Sequence, residues 1–384
     1  MIESSIIPSR RTAFAGIVAI AAGFVCFLLF TGLAFLNLAA TVAGGAERVQ
    51  LFAAVLGAGG IAGSLLAGRR FDLGHFTQTL ANSFRACGVA AALAFVAQAW
   101  WVFLLTAAAV GLSLGWLAVT LAVGLRTILG TARLGRYIGV ALGVAYALCS
   151  LPWIFEASPR AQLLFAGAAA VIGALAAPWL WPRTASRSSS PDYAPRIGFL
   201  WIAIFLALVW LDTATFQVIG QTPALKAGGW SGVGKLCGNS LVYLVTALLA
   251  GRALDRGWLA RLQMVAFALL AVAVVFLDEK WRIFPLAQVG YAAGVSVYST
   301  ALLYYTARSG RPLLVGLLFA VACWGGSALG PGMVQGLAQV PYAFVVAAGV
   351  VVAVALGLRA WWRRRKSGQS STAPADQNDS ADQN

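Results

Sequence analysis

The chain has 384 residues, 60% of them hydrophobic and only 10% charged, with a mean hydropathy of +0.83. A soluble domain carries about 25% charged residues, so this composition excludes a water-solvated globule and marks an all-α protein of the lipid bilayer. The formal net charge of +15 raises nucleic acid as a partner, and only the placement of the basic residues decides against it.

Apolar runs predict twelve membrane-crossing helices, at 12–42, 49–68, 77–99, 101–125, 136–156, 161–182, 197–222, 229–251, 258–277, 281–306, 312–334 and 339–361. Arg10 and Arg11 precede the first run, which at about 30 residues is too long for the core of a signal peptide. The second run ends in "LLAGRRFDLG", residues 65–74, and the eighth in "LLAGRALDRG", residues 248–257. Seven of the ten positions are identical, so the chain spells one charged turn twice, 183 residues apart. In the third run Arg85 lies near one end, where its long side chain can snorkel to the membrane surface. The sixth run ends at "WPRTASRSSSPDYAPR", residues 181–196, composed as a flexible linker would be. The expected organisation is a six-helix bundle over 1–182, a linker over 183–196, a second six-helix bundle over 197–362 and a disordered polar tail over 363–384. An even helix offset keeps the repeated turn on one membrane side, so the halves are expected to be parallel, pseudo-symmetric repeats.

With the N-terminus inside, the inner segments hold Arg10, Arg11, Arg69, Arg70, Arg126, Arg133, Arg136, Arg252, Arg256, Arg261, Arg308, Arg311 and a basic cluster ending in Lys366. The outer segments keep Arg48, Arg160, Lys226, Lys280 and Arg282. This is the positive-inside pattern. It places both termini in the cytoplasm of a protein of the cell (inner) membrane, and it assigns the positive charge to anionic lipid instead of nucleic acid.

Twelve spans in a 6+6 arrangement, both termini inside, and a Gly/Arg/Asp turn after spans two and eight resemble the major facilitator superfamily. In that family's turn a Gly is followed, after three residues, by Asp, Arg, one further residue and Gly. Gly68 and Asp72, and again Gly251 and Asp255, keep the Gly-to-Asp spacing. Arg256 keeps the following Arg and Leu73 does not, while the closing Gly74 and Gly257 come one residue early. The resemblance implies a transporter that rocks two six-helix halves about a midplane site, without a cofactor and as a monomer. It also implies a cytoplasmic latch: Asp72 reaching the start of the eleventh span near Arg311, and Asp255 the start of the fifth near Arg136. Arg69 and Arg252 would contact headgroups or a partner carboxylate; the alternative is that these charges only orient the loops. A second resemblance lies in "GGSALGPGMVQG", residues 325–336. Gly326, Gly330 and Pro331 match the family's Gly-xxx-Gly-Pro pattern, which antiporters carry in the fifth helix and this chain in the eleventh. Small residues four apart allow close helix approach, and Pro331 can bend the helix.

Ionisable groups inside a span are costly and are functional candidates. Asp212 lies in the seventh span, in "LVWLDTATFQVIGQT", with Gln217 one turn beyond it. Lys235, near the outer end of the eighth span, falls in the same half of the bilayer and is the cation expected to pair with it. Three roles stand for Asp212: proton coupling or gating, direct substrate contact, or a structural ion pair. Helices one, seven and ten line the pathway in the family resembled, which makes Thr31, Asn37, Gln217, Tyr291 and Tyr298 candidate cavity residues. Tyr304 and Tyr305, near the cytoplasmic end of the tenth span, suit interfacial anchoring. The five cysteines lie within spans without metal-ligand spacing, and the single histidine, His75, sits in a turn.

The reading is a secondary active transporter of a small organic solute, without enzymatic activity, coupled most simply to protons. Two rivals use the same scaffold: a non-transporting assembly or cofactor-delivery factor, and a lipid flippase.

Overall fold

The computed structural model describes residues 8–43, 45–180, 195–278 and 283–370. The linker expected at 183–196 lies outside them up to residue 194, as do Lys280, Arg282 and residues 371–384 of the tail.

Among the described residues twelve long helices run in chain order. The first, α1, is Arg10–Leu28 continued through a π-helical turn at Leu29–Leu33 into Ala34–Ala43. Then follow α2 (Ala46–Arg70), α3 (Phe76–Val96), α4 (Trp100–Leu129), α5 (Leu134–Cys149) and α6 (Pro159–Ala176). The second half holds α7 (Pro195–Gln221), α8 (Val233–Asp255), α9 (Leu259–Leu277) and α10 (Phe284–Ser309). Next comes α11, which is Pro312–Leu318, a second π-helical turn at Phe319–Gly325, and Gly326–Met333; α12 (Tyr342–Ser370) is last. Among the described residues eleven helices are long and apolar enough to cross a membrane, and α5 is a shorter apolar one. Of the tail expected over 363–384, residues 363–370 belong to α12, and the remainder lies outside the described residues.

The ends of the helices follow local chemistry. Helix α5 stops short of the predicted 156 because Pro152 drives Leu151 to an extended conformation, ψ 141°; the chain resumes as the short helix Pro152–Phe155. Helix α8 starts after Gly232, whose φ of 85° only glycine adopts without strain, and it extends to Asp255, past the predicted 251.

The core is apolar and the outside is apolar too. Leu105, Leu175 and Val346 are 66%, 68% and 64% exposed, which suits lipid and not water. The most enclosed element is α10, where every residue from 291 to 307 is buried. It packs against α8, α9, α5 and α4, so it touches both halves.

The halves meet along two glycine seams. At α5 and α8, Gly135 and Gly139 face Gly251 and Ala247, with Gly251 against the Gly135 carbonyl oxygen. At α2 and α11, a Cβ on Gly68 would stand 2.8 Å from the Pro312 carbonyl oxygen and 3.2 Å from the Gly316 Cα. The two repeated turns thus put matching glycines on two matching seams.

Candidate functional site

On α7 the threonines satisfy themselves. Thr213 Oγ1 donates to the Val209 carbonyl at 2.8 Å and Thr215 Oγ1 to that of Leu211 at 2.7 Å. A carboxylate cannot do this, so Asp212, 8% exposed, takes its partners from another helix. Tyr291 and Tyr298 of α10 are seven residues apart and so share a face. Tyr291 donates to Asp212 Oδ1 at 2.6 Å, and Tyr298 donates to Oδ2.

Further aromatics surround this triad. Tyr146 of α5 and Tyr243 of α8 stack with centroids 5.1 Å apart and planes 10° apart. Tyr146 also shares a 2.8 Å hydrogen bond with Ser299 of α10. Trp230, just before α8, meets the Tyr291 ring edge-on at 5.9 Å. Tyr146 comes from the first half and the others from the second, so the site straddles the interface.

Lys235 is not the partner of Asp212. Its Nζ donates to the Ala227 carbonyl at 2.8 Å, in the short helix Pro223–Gly229, and the residue is exposed. The long lysine stem reaches solvent from the first turn of α8, whereas ion pairing would bury its charge at the cost of desolvation. Among the described residues no Lys, Arg or His lies within ion-pair distance of Asp212. The other cavity candidates are more scattered. Gln217 is half-buried on α7; Asn37 is exposed; Thr31 returns its hydroxyl to the Phe27 carbonyl at 2.8 Å within the π-helical turn of α1. Tyr304 and Tyr305 are buried instead of interfacial; the Tyr305 ring packs 5.0 Å from Trp201. Arg85 is exposed, with Nη1 on the Asn82 side chain at 2.9 Å.

The two copies of the charged turn differ. Asp255 is the last residue of α8, and it accepts from the backbone N–H of Gly135 at 2.7 Å and of Arg136 at 3.2 Å. Arg136 Nε stands 3.4 Å from its Oδ2. This is the expected contact with the start of α5, where unpaired N–H groups attract an anion. Asp72 does not reach α11. It accepts instead from its own turn, from Gly74 N–H at 2.9 Å and His75 Nδ1 at 2.7 Å. The reason is local: α2 ends at Arg70 and Phe71 is extended, so Asp72 lies beyond the helix and the nearest donors are its neighbours. The His75 hydrogen bond, helped by the Gly74 N–H, holds the Asp72 carboxyl below the usual range. Arg311 is half-buried at the N-cap of α11, and Arg69 and Arg252 are exposed. The opposite end of the α5–α8 seam has a carboxylate that sequence reading missed. Glu156, after α5, accepts from the Gly232 N–H at the start of α8, 3.0 Å away.

In α11, Gly330 packs against Thr213, Ala214 and the Trp210 carbonyl of α7, and Thr213 Oγ1 also donates to the Gly326 carbonyl at 3.2 Å. Pro331 lies in the helix's last turn, where it withholds the N–H that would pair with the Ser327 carbonyl, and the helix ends two residues later at Met333; a π-helical turn precedes Gly326. That turn carries Trp324, whose ring meets Phe27 of α1 at 5.6 Å and covers Gly60 of α2.

No family model matches the chain, and neither does any curated protein. Among solved structures the chain is similar to the human organic anion transporter MFSD10 (TETRAN), with a TM-score of 0.61, 16% identity, and coverage of 91% of this chain and 99% of that one. The chain therefore has the major facilitator fold, all-helical and multi-pass, over nearly its whole length.

Proposed function

We propose that the protein is a secondary active transporter that moves a small organic solute across the cell membrane by alternating access, coupled to protons at Asp212. One observation carries this reading: a buried carboxyl group, without a basic partner among the described residues, sits at the interface of the two halves and is held only by tyrosine hydroxyls. A carboxylate unpaired by a cation is costly in a membrane-embedded site. Proton uptake removes that cost, so the charge of Asp212 and the packing of the halves depend on each other.

The fold supports the reading, since MFSD10, of the same architecture, is an organic anion transporter. In that picture the α5–α8 seam, clamped by Asp255 at its basic end and Glu156 at the other, separates at one end in each state. The excess of Arg on the Asp255 side supports a cytoplasmic position for that end by the positive-inside pattern, and in this reading the helices within 1–182 and within 197–362 move as the two halves.

Reconstitution tests it. Proteoliposomes loaded with a pH-sensitive dye and offered a panel of organic solutes under an imposed pH gradient should show at least one solute that accumulates and shifts the internal pH. Movement of neither solute nor protons, from protein that keeps its cooperative unfolding, contradicts transport and favours a non-transporting assembly factor.

A further inference from the structure

The aromatic ring around Asp212 has a chemical preference of its own. Tyr291 and Tyr298 hold the carboxylate, Trp230 meets Tyr291, and the stacked Tyr146–Tyr243 pair joins the same helix through Ser299, so the five aromatic side chains form one cluster, four of them with a hydroxyl. Aromatic faces are electron-rich and attract cations, the more so when water is excluded. Tyr243, Tyr291, Tyr298 and Trp230 are at most 8% exposed, so water is largely excluded here. A carboxylate at the centre adds a full negative charge, and among the described residues no basic side chain lies within ion-pair distance to cancel it.

From this geometry we infer that the solute is an organic cation, an amine or quaternary ammonium on an apolar body, whose charge docks on Asp212 within the tyrosine ring. The inference rests on the transport reading for its meaning, but the site and its preference are testable by binding alone. An organic anion is disfavoured at the same place, because it would meet the Asp212 charge without a basic side chain within ion-pair distance among the described residues to hold it. The tyrosine hydroxyls on Asp212 act as stand-ins: each can turn from the carboxylate to leave room for an N–H donor or an alkylammonium.

Tyr146 and Tyr243 form one parallel stacked wall from opposite halves, which moves apart if the halves rock. The solute would then be held while the wall is closed and released when it opens.

The experiment is binding to detergent-purified full-length protein, read by thermal unfolding and by quenching of intrinsic tryptophan fluorescence. The probes are 2-phenylethylamine, tetraphenylphosphonium and, as the anion of similar body, benzoate. The wild type should bind at least one cation and bind it more tightly than benzoate. Asp212→Asn, which keeps the size and one acceptor oxygen, should weaken that binding about tenfold or more, and Tyr243→Ala by about three- to tenfold. Asp212→Asn unfolding at a temperature near the wild type separates a lost site from a lost fold. Tighter binding of benzoate, or cation binding equal in wild type and Asp212→Asn, overturns the inference. Cation binding that depends on Asp212 in a protein that moves nothing in proteoliposomes upholds the site and overturns transport instead.

Discussion

At the scale of single residues, the account turns on Asp212 and the two phenols that hold it. Both hydrogen bonds come from one helix face, Tyr291 to Oδ1 and Tyr298 to Oδ2. A buried acceptor that loses its donor costs about 1–3 kcal/mol. Tyr298→Phe should therefore lower stability by about that amount, measured by thermal or urea unfolding in detergent, and the loss should shrink when Asp212→Asn is added, since the two share one bond. Additive losses would show that the bond is not formed in the folded protein. Asp212 and its tyrosines were legible in the sequence because a charge inside a span and phenols seven apart stand out. Tyr146 and Tyr243 were not, though a signal existed: Tyr243 is the one aromatic in α8. Lys235 misled because equal depth was taken for contact, whereas a flexible lysine in the first turn of a helix finds solvent more cheaply than a buried partner.

At the scale of elements, two antiparallel helices cap one another. The carboxylate that ends α8, Asp255, binds the start of α5, and Glu156, which follows α5 and the short helix Pro152–Phe155, binds the Gly232 N–H at the start of α8. Such capping is worth about 1 kcal/mol at each end, small enough for a rocking motion to break. Each variant should open its own end. In a background without other cysteines, Asp255→Asn should speed alkylation of Leu254→Cys, and Glu156→Gln should speed alkylation of the native Cys149; both positions are buried here. Equal reactivity before and after substitution would show that the caps do not hold the seam. The seam itself depends on Gly251, whose added side chain would strike the Gly135 carbonyl. Gly251→Leu should reduce stability by about 1–3 kcal/mol in thermal unfolding, while Gly257→Leu, outside the seam, acts only through its backbone at φ 82°. The repeated turn announced both glycines, but of its two carboxylates only Asp255 crosses to the other half. The sequence repeat could not show that α2 ends two residues before Asp72 while α8 runs through Asp255. That difference in helix length decides whether the carboxylate crosses to the other half or folds onto His75.

At the scale of the whole molecule, the hydropathy pattern was enough to read twelve helices in two sets of six, because lipid demands long apolar helices with their backbone bonds satisfied internally. Less legible were the two π-helical turns, in α1 and α11, which depend on packing against neighbours and leave no mark in composition. The second of them carries Trp324, which meets Phe27 of α1 just before the first, between the first half and the second. The enclosed position of α10 likewise follows from tertiary packing and not from its own pattern. Taken together, a seam held at both ends and a buried carboxyl group held by neutral donors surround Asp212 with protein. On the proposed reading, proton transfer and solute movement require the halves to rock. The measurement that bears most directly on this is pH-driven uptake by proteoliposomes of wild type and Asp212→Asn at equal, folded amounts, with a solute that the wild type carries. Accumulation driven by the pH gradient should be present in the wild type and fall to the level of protein-free liposomes in Asp212→Asn; undiminished gradient-driven accumulation by that variant would contradict the account.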